Sequence, residues 1–182
     1  VLIMFSCCSK EKIEADILIT NGIVYNGTDT TPSNVSIATK GDKIVFVGDK
    51  NEVEIKTIQT INAKGLIVSP GFIDPHTHAD REYKDTKTAH NLPFMMQGIT
   101  TTIVGNDGDS FYPSEKYQKL YAKQGIGTNA VQLVGHHEIL EAVIGKSDVE
   151  PTPEQILEMQ KLMQKEMDAG AFGMSTGLYY AP

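Results

Sequence analysis

The chain has 182 residues and a formal net charge of −7, with 40% hydrophobic and 21% charged residues. These values are typical of an ordinary globular chain with one domain and part of another. The acidic balance argues against a nucleic-acid surface, and no run of about 18 apolar residues predicts an internal membrane span. The only cysteines, Cys7 and Cys8, are adjacent, which excludes a disulfide framework and a four-cysteine zinc site.

The first nine residues resemble the end of a bacterial lipoprotein signal. An apolar run, Val1–Phe5, precedes Ser6 and Cys7. In such signals the cysteine carries lipid after cleavage, and lipid on Cys7 would tether the chain to a membrane without a spanning helix. We therefore expect residues 1–9 to be a signal remnant and the protein to be a periplasmic or cell-surface lipoprotein. The alternatives are a partly buried terminal strand, or lipid on Cys8.

Short strands and turns predict a small antiparallel β unit over residues 10–65. Asn21-Gly22 is a strong hairpin signal because both residues tolerate a positive φ. Lys40-Gly41-Asp42 predicts a second turn. The predicted strands are residues 16–20, 23–25, 35–39, 43–48 and 57–61. A unit of this size is marginal alone, so we expect it to pack on another part of the protein.

From residue 66 onward, strands and helices alternate, which predicts a parallel sheet with crossover helices. Leu66–Val68 and Phe72-Ile73 are apolar runs typical of fully buried parallel strands. The remaining predicted strands are residues 100–104, 129–134 and 171–175, and the predicted helices are 90–97, 113–124 and one from Thr152 to Gly170, with Met159, Met163 and Met167 in the core. Four strands fit half of an eight-stranded α/β barrel, which needs about 250 residues, or a small open sheet.

Two histidines at alternate positions are the most informative feature for chemistry. His76 and His78 follow Phe72-Ile73, and side chains at i and i+2 of a strand project from one face. Neutral imidazole is a common zinc ligand. Asp74 shares that face and could orient a metal-binding histidine. The spacing alone is a weak signal and gains weight from the buried strand before it and the loop after it.

The surrounding segment, Asn62–His78, closely resembles the signature of the amidohydrolase superfamily, which are metal-dependent hydrolases. Three later segments narrow the resemblance to the D-aminoacylase family, the N-acyl-D-amino-acid deacylases: residues 97–108, 134–136 and 170–180. The resemblance implies an α/β fold, with a (β/α)8 TIM-type barrel and a small β-sandwich. Residues 10–65 would form part of the sandwich, and residues 66–182 the first half of the barrel, truncated after the fourth strand.

Carried over by position, the resemblance implies a set of site residues. His76 and His78 match metal ligands, and Asp107 stands where the family has a cysteine that binds or bridges metal. Asp107 is either a ligand or a turn residue of Asn106-Asp107-Gly108. Tyr180 matches a tyrosine that lines the substrate pocket, with packing at the barrel rim as the alternative. His136 ends the third strand and is expected to face the site, although the arginine that often follows it in the family is absent. His137, the next residue, is expected to lie in a solvated loop.

The resemblance implies hydrolysis of N-acyl-D-amino acids to a carboxylate and a free D-amino acid. One or two zinc ions would polarise the acyl oxygen and lower the pKa of a bound water. Further metal histidines and the general-base aspartate are expected beyond residue 182, so we expect the 182-residue segment alone to be inactive. Its expected partners are a small N-acyl amino acid and, through lipid alone, a membrane, with no nucleic acid.

Two alternatives remain open. One is another amidohydrolase, such as a cyclic amidase or a dipeptidase. Hydantoinase-like enzymes would show a carboxylated lysine on the fourth strand, and no lysine lies near Met174 and Ser175, which disfavours that branch. The other is a non-catalytic lipoprotein module that kept the fold and lost the site, and metal content would distinguish it.

Overall fold

The computed structural model describes residues 10–177. It divides the chain into two compact units, the first ending at Pro70 and the second beginning at Gly71. The sequence places this division after residue 65 instead. The residues that follow the predicted division stay with the first unit because Ile67–Val68 pairs with one of its strands. The predicted signal remnant, residues 1–9 with Cys7, lies outside the described residues, as does Tyr180.

Between residue 10 and Pro70, the first unit is built from six strands. They are β1 (Glu11–Thr20), β2 (Ile23–Val24), β3 (Ser36–Lys40), β4 (Lys43–Gly48), β5 (Val53–Asn62) and β6 (Ile67–Val68). Four of them form a sheet in the order β4-β3-β1-β5, and β2 pairs with β6. Its small core consists of Ala15, Leu18 and Ala38, against which Phe46 and Ile55 pack. The predicted turn at Lys40-Gly41-Asp42 is confirmed, since β3 and β4 are antiparallel neighbours on either side of it.

The predicted hairpin at Asn21-Gly22 is wrong, and so is the fully antiparallel pairing. Asn21 does adopt the positive φ expected of a turn, at 62°. However, β1 pairs in parallel with β5, and β2 leaves that sheet to pair in parallel with β6. Close packing holds the chain there, because Gly22 lies against the side chains of Val68 and Ala63. The turn therefore transfers the chain from one sheet to another.

The second unit contains four strands and five helices among its described residues. In chain order they are β7 (Phe72–Asp74), α1 (Asp80–Tyr83), α2 (Leu92–Met95), β8 (Ile99–Val104), α3 (Ser114–Gln124), β9 (Asn129–Gly135), α4 (His136–Ile144), α5 (Pro153–Asp168) and β10 (Gly173–Ser175). The strands form one sheet in the order β10-β9-β8-β7, and every neighbouring pair is parallel. The parallel sheet predicted from the alternating pattern is confirmed.

Three local predictions in this unit differ from the structure. Phe72 and Ile73 are 60% and 65% exposed rather than buried, because nothing among the described residues covers them. The helix predicted over residues 90–97 shortens to α2, since Asn91 before it has a left-handed φ of 50°. Helix α4 begins directly at the end of β9, so His137 lies on a helix instead of in a loop.

Helix α5 begins as the sequence predicts. Thr152 Oγ1 accepts a hydrogen bond from the backbone N–H of Gln155, and the Gln155 side chain accepts one from the N–H of Thr152. This capping box satisfies two amides that have no partner within the helix. Met159 and Met163 pack against the cluster formed by Val134, Ile139 and Ala171, as predicted, together with Leu162. Met167 is 39% exposed, so its predicted place in the core is wrong.

No helix in the range from residue 10 to residue 177 combines the length and the apolar composition that crossing a membrane would require.

A buried polar network ties α1 to the sheet. The fully buried Tyr83 hydroxyl lies 2.6 Å from Thr102 Oγ1 and 2.5 Å from Thr128 Oγ1. Asn91 Nδ2 donates to the same hydroxyl and to Thr128 Oγ1, each at 3.1 Å. Buried hydroxyl and amide groups are costly to leave unpaired, so this network fixes the end of α1 relative to β8.

Replacing Tyr83 with Phe is expected to lower the free energy of unfolding by about 1–3 kcal/mol, because the buried hydroxyl and amide groups lose a shared partner. Chemical denaturation of the complete gene product measures this. Tyr25→Phe is the matched control, since Tyr25 is 37% exposed and no hydrogen bond of its hydroxyl occurs among the described residues. We expect it to change stability by less than about 0.5 kcal/mol. Equal losses in the two variants would contradict the role of the network.

Candidate metal centre

The loop that follows β7 carries both histidines. His76 and His78 lie beyond the end of the strand, not on it as the sequence predicts. Their alternation survives because the residue between them is fixed. Thr77 is buried, and both its backbone N–H and its Oγ1 donate to the carbonyl oxygen of Ile103 at 3.0 Å. With Thr77 held at the end of β8, the two flanking imidazoles stay exposed.

Asp74 contacts this loop through the backbone. Its Oδ1 accepts a hydrogen bond from the N–H of His76 at 3.1 Å. A contact from a side chain to the backbone two residues on is a common way to shape a turn. Asp74 thus fixes the chain direction at His76. Contact with a histidine ring, the role predicted from the sequence, is not among the hydrogen bonds of the described residues.

Asp107 lies in a second loop, which follows β8. Asp107 has a φ of 61°, and Gly105 and Gly108 on either side of it have φ values of 77° and 84°. Ser175 Oγ of β10 donates to the carbonyl oxygen of Gly105 at 2.6 Å and accepts from the N–H of Gly108 at 3.0 Å. The N–H of His137 donates to the carbonyl oxygen of Gly108 at 3.0 Å. The loop is therefore attached to the carboxyl ends of β9 and β10.

These two loops bring the three predicted metal ligands together. The Nε2 atoms of His76 and His78 each lie 3.2 Å from Asp107 Oδ2. The two imidazole rings are T-shaped, with centroids 5.7 Å apart. One donor atom from each residue lies within 4.8 Å of the others. A tetrahedral zinc about 2.1 Å from each donor would separate its ligand atoms by roughly 3.4 Å, so this spacing fits one shared ion.

A cavity of about 300 Å³ adjoins this cluster. It is lined by His78, Arg81, Asn106, Asp107, Gly108, Asp109, His137 and Gly177. All of these residues follow β7, β8, β9 or β10, at the carboxyl end of the sheet. In parallel α/β barrels this is the end at which ligands bind.

Two carboxyl groups near the cavity have pKa values above the usual range. Burial raises the pKa of Asp80, at the start of α1, above its usual range. Asp80 Oδ1 has no hydrogen-bond partner among the described residues. Burial, and then the neighbouring Asp109 carboxyl, raise the pKa of Glu138. Burial is the largest cause in both cases, because a carboxylate loses solvation in these positions.

The predicted substrate contacts are placed less clearly than the predicted ligands. His136 is the first residue of α4 and is half-buried, and its contact with substrate stays a prediction. The neighbouring His137, which the sequence predicts to be a loop residue, lines the cavity instead. Sequence reasoning missed Arg81 and Asp109. The only feature of the sequence that could have indicated a place at the site is that each of them follows a predicted metal ligand within a few residues.

Comparison with known proteins identifies the class of protein. Residues 59–182 match the family model described as the amidohydrolase family, and the chain belongs to this family. It is 29% identical to a D-aminoacylase of Alcaligenes xylosoxydans xylosoxydans, over 92% of this chain and 38% of that protein. An N-acyl-D-aspartate deacylase of the same organism is 30% identical, over 93% of this chain and 38% of its own length. The chain thus spans well under half the length of these relatives.

Solved structures show the same fold. An N-acyl-D-glutamate deacylase from Bordetella bronchiseptica, complexed with zinc and a phosphonate inhibitor, superposes with a TM-score of 0.85 at 28% identity. The match covers 93% of this chain and 40% of that one. A D-aminoacylase structure gives 0.81 at 29% identity, over 91% of this chain and 39% of that one. The predicted fold is confirmed: β7–β10 form part of a TIM-type hydrolase barrel, and the chain resembles the D-aminoacylases.

Replacing Asp107 with Asn tests whether Asp107 is a metal ligand or only a turn residue. Asn tolerates a positive φ as well as Asp does, so the turn survives while the charge is lost. We expect the affinity of the complete gene product for zinc to fall at least about tenfold, measured by calorimetric titration of the metal-free protein. His90→Ala is the control, because His90 is exposed and lies outside the cluster. Unchanged zinc affinity in Asp107→Asn would assign Asp107 to the turn alone.

Proposed function

We propose that the complete gene product is a zinc-dependent deacylase that hydrolyses the amide bond of N-acyl-D-amino acids. The products would be a carboxylate and a free D-amino acid. The cluster of His76, His78 and Asp107 at the carboxyl end of the sheet carries this proposal. The relatives named above support it, since they are deacylases of N-acyl-D-amino acids by name.

In the proposed reaction, His76, His78 and Asp107 would hold the metal. When bound, zinc supplies a Lewis acid that polarises the acyl oxygen and lowers the pKa of a water. The chain's own contribution is preorganisation, because Thr77 holds the two histidines in place before any ligand arrives. A carboxylate at position 107 is a harder ligand than the cysteine typical of the family, which favours harder metals than a thiolate would. The general base is expected from beyond residue 182.

The exposed apolar side chains at the two outer strands of the sheet fit a barrel that continues past this chain. Four large apolar side chains at the outer strands are more than half exposed. Two of them, Phe72 and Ile73, lie in β7, Met174 lies in β10, and Phe172 directly precedes β10. Apolar side chains of this size are usually covered in a folded protein. We propose that later strands of the complete gene product cover them and supply the remaining metal ligands. The 182-residue segment alone is then expected to be inactive.

The deacylase proposal predicts a D-specific, zinc-dependent amidase activity. The purified complete gene product should release the free amino acid from N-acetyl-D-amino acids, with little release from the L-enantiomers. Activity should disappear on chelation and return with zinc, and His78→Ala should lower kcat/KM by at least about a thousandfold. The control is His90→Ala, which should retain activity. Turnover limited to cyclic amides, or turnover that survives removal of all metal, would contradict the proposal.

We also propose that the protein is a lipoprotein of the periplasm or cell surface, anchored through Cys7. The support is the apolar run before Cys7 in the sequence. Fractionation of cells expressing the complete gene product should place it with membranes. Cys7→Ser together with Cys8→Ser should release it, because no lipid could be attached. Lys10→Gln is the control for the local sequence. Membrane association that persists in the double variant would contradict the anchor.

A further inference from the structure

The only arginine of the 182-residue sequence lies beside the metal centre. Arg81 lines the cavity that also contacts His78 and Asp107. Its backbone N–H lies 3.5 Å from the carbonyl oxygen of His78, so the two residues are held together by the start of α1. The backbone of Arg81 is therefore tied to one of the histidines that would hold the metal.

The guanidinium of Arg81 has no partner among residues 10–177. Arg81 is exposed and takes part in no ion pair and no side-chain hydrogen bond there. Several lysines, in contrast, pair with glutamates, such as Lys40 with Glu14 and Lys119 with Glu115. A planar guanidinium can bind both oxygens of a carboxylate at once, which an ammonium group cannot do. An unpaired arginine in a cavity is thus well suited to bind an acidic ligand.

The acidic side chains that face the same cavity are engaged elsewhere. Asp107 Oδ2 lies between the two imidazoles of the candidate metal centre. Asp109 adjoins Glu138, whose carboxyl group has a raised pKa because of burial and of Asp109 itself. Neither Asp107 nor Asp109 forms an ion pair with Arg81 among residues 10–177.

We propose that Arg81 binds a carboxylate of the substrate and thereby makes the cavity selective for anionic N-acyl amino acids. The inference rests on the proposed deacylase function. The cavity volume of about 300 Å³ is at the small end of the range for ligand sites, which suits an amino-acid derivative. The carboxylate has two sources, the α-carboxylate common to all amino acids or the side chain of an acidic one. The residue acts by binding and orienting the substrate.

The test is the kinetics of Arg81→Gln in the zinc-loaded complete gene product. N-acetyl-D-leucine and N-acetyl-D-glutamate are the substrates, and their non-hydrolysable phosphonate analogues are titrated by calorimetry. We expect KM and the analogue dissociation constant to rise about ten- to a hundredfold, with a smaller effect on kcat and with unchanged zinc content. Arg81→Lys should restore part of the affinity, since it restores the charge without the planar fork.

Lys87→Gln is the matched control, because it removes one positive charge from an exposed position outside the cavity. Weaker binding of both substrates by Arg81→Gln assigns the α-carboxylate, and weaker binding of N-acetyl-D-glutamate alone assigns the side chain. Values equal to those of the wild type and of Lys87→Gln for both substrates overturn the inference. Loss of zinc in Arg81→Gln also overturns it, since the residue would then act on the metal centre.

Failure of the proposed function gives a different result. The wild-type protein would then hydrolyse neither substrate. Binding of the phosphonate analogues would still report on Arg81: weaker binding in Arg81→Gln supports the carboxylate site, and equal binding in both proteins overturns it.

Discussion

The candidate site depends on one buried amide that joins two loops. Asn106 is 5% exposed, and its Nδ2 donates to the carbonyl oxygens of Thr77 and Ile103, each at 2.9 Å. Thr77 carries a histidine on either side, and Asn106 is followed by Asp107. The same side chain therefore sets the distance between residues that lie about one strand and two short helices apart along the chain. Buried hydrogen bonds of this kind are expensive to break, because both carbonyl oxygens would lose a partner away from water.

Glycine supplies the second constraint, since the strand ends approach each other too closely for side chains. A Cβ atom on Gly135 would collide with the carbonyl oxygen of Gly108, and one on Gly105 with the carbonyl oxygen of Leu133. The loop of Asp107 can therefore lie against the end of β9 and receive a hydrogen bond from the N–H of His137. A rigid frame of backbone contacts thus supports the exposed ligand atoms, which is the arrangement that metal binding favours.

The sequence predicts a structural feature correctly when the residues that form it are close together along the chain. The capping box at Thr152 and Gln155 forms because its partners are three residues apart. The grouping of His76, His78 and Asp107 was also predictable, because the carboxyl ends of neighbouring parallel strands meet at one edge of a sheet. Resemblance to a family selected Asp107, whose own sequence context indicates a turn.

The failures at β1 and β2 share a physical cause, which is pairing between distant segments. The residues near Asn21-Gly22 do not indicate that β1 pairs in parallel with β5, or that β2 pairs with β6. His137 lines the cavity because α4 begins directly after β9, without a loop. The sequence does not predict this helix start, since Gly135 at the N-cap makes no side-chain capping hydrogen bond. Arg81 was missed because an isolated arginine carries no signal until the fold places it beside His78.

The central claim is that His76, His78 and Asp107 bind one metal ion together. The most direct test is a crystal structure of the zinc-loaded complete gene product, with anomalous data collected on both sides of the zinc absorption edge. We expect a zinc peak about 2.0–2.2 Å from the Nε2 atoms of both histidines and from a carboxylate oxygen of Asp107. Fully loaded zinc that contacts none of these three atoms would contradict it.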